Sequence, residues 1–180
     1  PLLNGMAHYE ILDKEFGKEK IFGGTAYIST AMNNYGSIQQ ITSRASIKFG
    51  PRTAKNINIA KDFHEICKET EFECDFSDHI ELDLWRKYVL IGATAASTVL
   101  FQKPLGEICT TTYGKRLIIE IHEECKKIVL SKGYDIGIEA TNYNLKLITD
   151  KDSLLKASML RDFESGKKTE CEHILSLIHI

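Results

Sequence analysis

Lys87 is the residue of this chain with the clearest capacity for proton chemistry. It sits in Leu84-Trp85-Arg86-Lys87-Tyr88, in a stretch with no glycine or proline between Ile80 and Ile91, and small apolar residues follow. Such a stretch predicts one helix over about 80–101, roughly 33 Å long at ~1.5 Å per residue. Most of it is apolar all round, so most of it is expected to be buried. A lysine there has two uses. Its stem can snorkel and leave the ammonium in water, or the ammonium can face a cleft where desolvation lowers its pKa for proton transfer. Positions 87, 91 and 95 share one helix face. Ile91 and Ala95 make that face apolar, and a residue as small as Ala95 in mid-helix argues for a face turned to protein or a closed site.

A second stretch, from Lys156 to Glu170, reads K-A-S-M-L-R-D-F-E-S-G-K-K-T-E. Glu170 follows the charged turn Ser165-Gly166-Lys167-Lys168, where a helix is expected to begin, so its carboxylate gains from the helix dipole. Other residues carry less. Glu120, His122, Glu123 and Glu124 lack the H-E-x-x-H spacing of a zinc helix and read as a solvated helix face, with no metal. The acidic run from Glu69 to Asp75 fits an exposed edge strand. His8, His64 and His79 have no evident partner in the sequence. Gly23-Gly24 is no phosphate loop, because no helix follows it.

These elements must be placed by the rest of the chain. Its 180 residues suffice for one domain or two small ones. With 43% hydrophobic and 27% charged residues it has a globular composition. A net charge of -2 and no basic run argue against nucleic acid or an anionic membrane as partner. The longest apolar stretch is too short and too mixed for a membrane span. Five scattered cysteines without C-x-x-C point to reduced thiols in a cytoplasm.

Taken in order, Pro1-Leu2-Leu3 reads as the end of a buried strand, closed by the Asn4-Gly5 turn. Residues 7–16 predict a helix stopped by Gly17. Residues 21–30, 37–42 and 45–49 read as strands of a meander, with a turn at Asn33-Asn34-Tyr35-Gly36. Residues 53–70 have helical spacing, and 72–76 alternate as an edge strand. After Asp78 the strands stop. Helices are expected over 80–101, 112–131 and 138–149, and a last one after Arg161. The switch predicts a domain boundary near Asp78, with α/β structure over 1–78 and an all-helical domain over 79–180. Both ends look cut, so the chain reads as a fragment. The apolar C-terminal run Ser176-Leu177-Ile178-His179-Ile180 reads as an altered end.

Three motifs in this order, N-G-M at Asn4, L-W-R-K at Lys87 and S-M-L-R-D-x-x-x-G-x-x-T-E from Ser158 to Glu170, resemble the ketopantoate reductase (2-dehydropantoate 2-reductase) family. The resemblance runs from Pro1 to about Glu172 and takes in the G-G-T strand at Gly23, the Phe49-Gly50-Pro51 turn and the Pro104-Leu105-Gly106-Glu107 corner. It implies the C-terminal part of a Rossmann-type NADP-binding domain, then a helical substrate and catalytic domain, with the active site in the cleft between them. It also implies that the G-x-G-x-x-G fingerprint for NADPH lies outside this chain. The activity implied is reduction of a 2-keto acid to a 2-hydroxy acid, ketopantoate to pantoate or a related substrate. By the same resemblance Lys87 is the general acid and Ser158 helps hold the substrate carboxylate. Glu170 bonds the substrate's hydroxyl side, and Asn4 lies between cofactor and lysine. Asn4 and Glu170 thus touch both substrate and cofactor. The family's pattern has asparagines four and eight residues after the lysine. Ile91 and Ala95 stand there instead, which puts ketopantoate itself in question and leaves a non-catalytic binding protein on the same scaffold as the alternative. A second copy of the chain is the expected protein partner.

Overall fold

The computed structural model describes residues 1–33 and 35–175; Asn34 of the expected turn and the run 176–180 lie outside the described residues. The chain divides within its longest helix into two compact units, Pro1–Leu84 and Trp85–Ile180.

The first unit opens with α1 (Ala7–Phe16), which ends at Gly17 with φ +86°, the glycine N–H donating to the Asp13 carbonyl. Strands β1 (Gly23–Met32) and β2 (Ile38–Gly50) form an antiparallel hairpin. The Asn33 side-chain oxygen accepts the N–H groups of Tyr35 and Ser37 at its turn. Helix α2 (Ile57–Cys67) then crosses over to β3 (Glu73–Phe76), which pairs parallel to β2. The expected meander is therefore corrected. Residues 38–42 and 45–49 belong to one long strand, whose register shifts where Thr30 pairs with Gln40 and Ile28 with Ala45. Alternation identifies a strand but not its partner, and an intervening helix is what parallel pairing requires. The N-terminal segment is corrected too. Residues 1–3 form no strand, and Leu2 and Leu3 are exposed, although Pro1 and Leu2 lie beside Gly24 at the start of β1.

Helix α3 (Ile80–Phe101) starts against this sheet. Tyr9, Ile80 and Leu84 form a buried cluster with Met6 and Ile21 against it. Gly23 and Gly50 are opposite each other in the ladder; a Cβ at Gly23 would strike Ile80, and one at Gly50 would strike the Ser77 carbonyl and crowd Ile80. Their lack of a side chain is what admits the helix. Arg52 fixes the outside of this contact. It forms a bidentate pair with Asp13 (2.6 and 2.8 Å), donates through Nε to Glu81 (3.1 Å), and stacks its guanidinium 4.3 Å from the Tyr9 ring.

The second unit is all-helical among the described residues. After α3 come α4 (Leu105–Cys109), α5 (Gly114–Ser131), α6 (Gly137–Ile148), α7 (Ser158–Glu164) and α8 (Cys171–Leu175). Its main core gathers Ala93, Leu105, Ile108, Ile118 and Ile148. The Pro104 corner is a short helix: the N–H groups of Leu105 and Gly106 donate to the carbonyls of Leu155 and Ser153, an external partner that no local pattern announces. Helix α7 is not among the expected helices; the Ala157 carbonyl accepts from Leu160 and Arg161 and closes its first turn, and the last helix expected after Arg161 is α8.

His122 overturns the reading of its segment as a solvated face. It is fully buried, together with Ile118, Cys125 and Val129. Those positions recur at helical spacing and form the inward stripe of α5. Its Nε2 is 3.5 Å from Asn144 Nδ2 on α6. Glu123 lies 3.5 Å from Nδ1 without a hydrogen bond, and burial lowers the imidazole's pKa.

Candidate active site

Lys87, Ile91 and Ala95 lie on successive turns of α3, with Lys87 and Ile91 half-buried and Ala95 buried. A lysine on an apolar helix face loses much of its hydration, and the ammonium suffers more than the amine. Burial accordingly lowers the Lys87 pKa from its ordinary 10.5 to about 8. That value leaves the group mostly protonated at neutral pH yet ready to give the proton up, the condition a general acid needs.

The far end of the stripe is fixed by the second predicted stretch. Ala95, Met159 and Ile174 form one buried cluster, flanked by Val99 and Ala157. Ser158 is thus bracketed by two residues, Ala157 and Met159, that are held against the Ala95 end of α3. Its own side chain is exposed. Arg161 secures the same turn by donating from Nη1 to the Lys156 carbonyl at 3.1 Å. Glu170 is also exposed; its carbonyl accepts the Ile174 N–H at 2.9 Å, which ties it to the first turn of α8 and through Ile174 to the same cluster. Two of the predicted stretches, the Lys87 helix and the run from Ser158 to Glu170, are therefore brought together around Ala95. Lys87 lies two turns along α3 from there, about 12 Å in rise. Asn4 belongs to the first unit, half-buried in a turn completed by Gly5 at φ +78°.

Arg161 and Arg52 were not singled out by sequence. Both act on main-chain or carboxylate partners that only the fold supplies, and for Arg52 the one local signal is its place after the Phe49-Gly50-Pro51 turn. Among the described residues, no cluster of three or more histidines, cysteines or carboxylates is arranged to hold a metal ion, and no helix is long and apolar enough to cross a membrane.

A small mixed sheet followed by an all-helical unit is the C-terminal part of a Rossmann-type domain joined to a helical domain. The comparisons with known proteins give the family. Residues 79–178 match Ketopantoate reductase PanE/ApbA C terminal and residues 1–54 match Ketopantoate reductase PanE/ApbA, so the chain belongs to the ketopantoate reductase family. It is 33% identical over 174 residues to an uncharacterized oxidoreductase YkpB of Bacillus subtilis (strain 168), covering 97% of this chain and 57% of that protein. It is 22% identical to a 2-dehydropantoate 2-reductase of Archaeoglobus fulgidus, covering 96% of this chain and again 57% of the relative. The fold is shared with D-mandelate dehydrogenase in its ternary structure with NADH and anilino(oxo)acetate, at a TM-score of 0.84 and 20% identity, covering 99% of this chain and 58% of that one. The chain thus spans less than two thirds of the length of these relatives.

Proposed function

We propose that the chain carries the C-terminal part of a reductase that converts a 2-keto acid to a 2-hydroxy acid with NADPH, Lys87 being the general acid. The observation that carries this is the half-buried Lys87 on an apolar helix face, its pKa lowered to about 8 by desolvation. The nicotinamide supplies hydride to the carbonyl carbon. Lys87 Nζ gives its proton to the carbonyl oxygen as charge develops there. Ser158 holds the substrate carboxylate through its hydroxyl. Glu170 and Asn4 bond the substrate and the nicotinamide end of the cofactor. These residues offer nothing for the cofactor's phosphates: Gly23 and Gly24 begin β1 rather than a strand-to-helix turn. Residues 1–78 serve, in this reading, as the end of the NADP-binding domain, and 79–180 as the substrate and catalytic domain. A cytoplasmic homodimer is the expected working form.

Ile91 and Ala95 stand where the family pattern has asparagines, so this face has no side-chain amide to meet a hydroxylated substrate. We therefore favour a 2-keto acid with an apolar side chain over ketopantoate. The relatives' names span both, 2-dehydropantoate 2-reductase on one side and D-mandelate dehydrogenase on the other. The test is a panel of 2-keto acids, ketopantoate and aryl-substituted ones included, given to the full-length protein with NADPH and with NADH, following cofactor absorbance. Turnover of an apolar 2-keto acid in preference to ketopantoate supports the reading. Binding of cofactor without turnover of any keto acid overturns it in favour of a non-catalytic protein on the same scaffold.

A further inference from the structure

Strand β1 is at the edge of its sheet, whose order among the described residues is β1-β2-β3. Pro1 and Leu2 lie against Gly24, at the start of the strand. No described strand pairs with residues 28–32 on the outer side, so alternate N–H and carbonyl groups there face outward. Such an edge is a template for another strand, and proteins commonly protect it with charge, proline or a bulge. This edge has none of them. From Ile21 to Ser43 the sequence has no charged residue and no proline. The register shift puts its extra residues in β2 and leaves β1 regular. Ile28 is 48%, Met32 70% and Ile38 73% exposed, so the end of the hairpin keeps apolar side chains in water. Alternation puts Ile28, Thr30 and Met32 on one face of β1, and the ladder sets Ala45, Gln40 and Ile38 opposite them.

We propose that β1 pairs antiparallel with β1 of a second copy of the chain, about a two-fold axis at Thr30, joining the two sheets into one. This names an interface for the homodimer proposed above and rests on that reading. The residue pattern chooses both the occupant and the register. Pairing about Thr30 sets Ile28 against Met32 of the second copy, and Met32 against its Ile28. Ile38 and Met32 of one copy then continue into Ile28 and Ala45 of the other as a single apolar row, and the axis repeats the row. An axis at Ala31 sets Met32 against Thr30 instead, and an axis at Ser29 sets Ile28 against Thr30; either breaks both rows. Cross-strand apolar pairs stabilise the first register over the others. The same edge serves both copies and β2 occupies the opposite one, so the assembly closes at two. With no charge on the edge, nothing repels like from like, and a charged partner finds no complement there.

The experiment compares the full-length protein with two double variants, Ile28→Lys with Met32→Lys, and Ile28→Asp with Met32→Asp. Each sets like charges against each other across the axis, whereas a mixture of the two sets opposite charges together. Sedimentation velocity over a concentration series reads the state of each. The expected result is a dimer for the parent, a monomer for either variant alone, and a mixed dimer when the two are combined. Recovery on mixing also shows that both variants fold. Variants that remain dimeric overturn this interface and leave the homodimer standing. Variants that stay monomeric when mixed overturn the pairing about Thr30. A parent that is monomeric throughout overturns interface and homodimer together, and the reductase reading then stands or falls separately on the keto-acid panel.

Discussion

Ala95 of α3 and Met159 of α7 belong to one buried cluster, which Ile174 of α8 completes. Two stretches more than sixty residues apart in sequence are registered on each other by this contact, and with them the candidate residues Ser158 and Glu170. Truncating Met159 leaves a cavity where the neighbouring helices cannot fully collapse. Met159→Ala is expected to cost about 2–5 kcal/mol, read from the denaturant midpoint. Restoring the family's residue by Ala95→Asn buries an amide among apolar neighbours and is expected to cost about 1–3 kcal/mol. An Ala95→Asn variant as stable as the parent would show that the end of the stripe is wetter than this packing allows.

Arg52 does comparable work in the first unit. Its side chain is 7% exposed and it bridges Asp13 and Glu81. Arg52→Ala leaves Asp13 without its bidentate partner, takes a partner from Glu81, which keeps Lys18, and removes the stack on Tyr9; a loss of about 2–3 kcal/mol is expected. Arg52→Lys recovers little, because an ammonium cannot reproduce the bidentate fork. The hydrogen bond from Arg52, and then its charge, hold the Asp13 carboxyl below its usual value. A carboxyl depressed in the folded state adds stability above its unfolded pKa of about 3.9, and that stability is lost as pH falls through the lower folded value. Stability of the parent should therefore drop more steeply over this acid window than that of Arg52→Ala, as followed by thermal melts across the range.

Much of this architecture was legible in the sequence because helical periodicity is local. Helix α3 was readable end to end, and the loss of alternation after Phe76 marked where strands cease. The burial of Ala95 followed from its size on a mid-helix face. What escaped depends on partners distant in sequence. Period two identified 37–42 and 45–49 as extended but not as one strand, and gave no hint that β3 runs parallel to β2. His122 was misread because its acidic neighbours dominate the composition of its segment, whereas its own position completes the stripe of Ile118, Cys125 and Val129. Helix α4 was missed because its first N–H groups are capped by the carbonyls of Ser153 and Leu155, from a segment nearly fifty residues later.

Two glycines separate steric necessity from conformational preference. A Cβ on Gly50 would land on the Ser77 carbonyl and press on Ile80. Both neighbours are fixed, since Ser77 N–H donates to the Phe49 carbonyl and Ile80 is core. Gly50→Ala is expected to disrupt the seating of α3 on the sheet and to lower stability by more than 3 kcal/mol. Gly133, at φ +86° after α5, has open space around it. Gly133→Ala meets only backbone strain, of about 1 kcal/mol. Urea titrations of the two variants side by side check the contrast, and equal losses would contradict it.

The pKa of Lys87 gives the proposed chemistry a signature in pH. Burial places it at about 8, below the ordinary 10.5 of lysine. A general acid works only while protonated, so turnover should hold level below pH 8 and fall tenfold per unit above it. Stability runs the other way. A lysine whose folded pKa is depressed binds fewer protons folded than unfolded between about 8 and 10.5, so the cost of burying its charge is present below 8 and is relieved as pH rises across that window. Lys87→Ala in the full-length protein should lower turnover by roughly two to four powers of ten and leave the fold intact. Lys87→Arg retains the charge but cannot release a proton near neutrality. It should be nearly as slow, and the descending limb above pH 8 should vanish. Steady-state rates of the three proteins from pH 6 to 10 make the comparison. Unchanged turnover in Lys87→Ala, or a descending limb that survives in Lys87→Arg, would remove Lys87 from the reaction and assign its burial to packing alone.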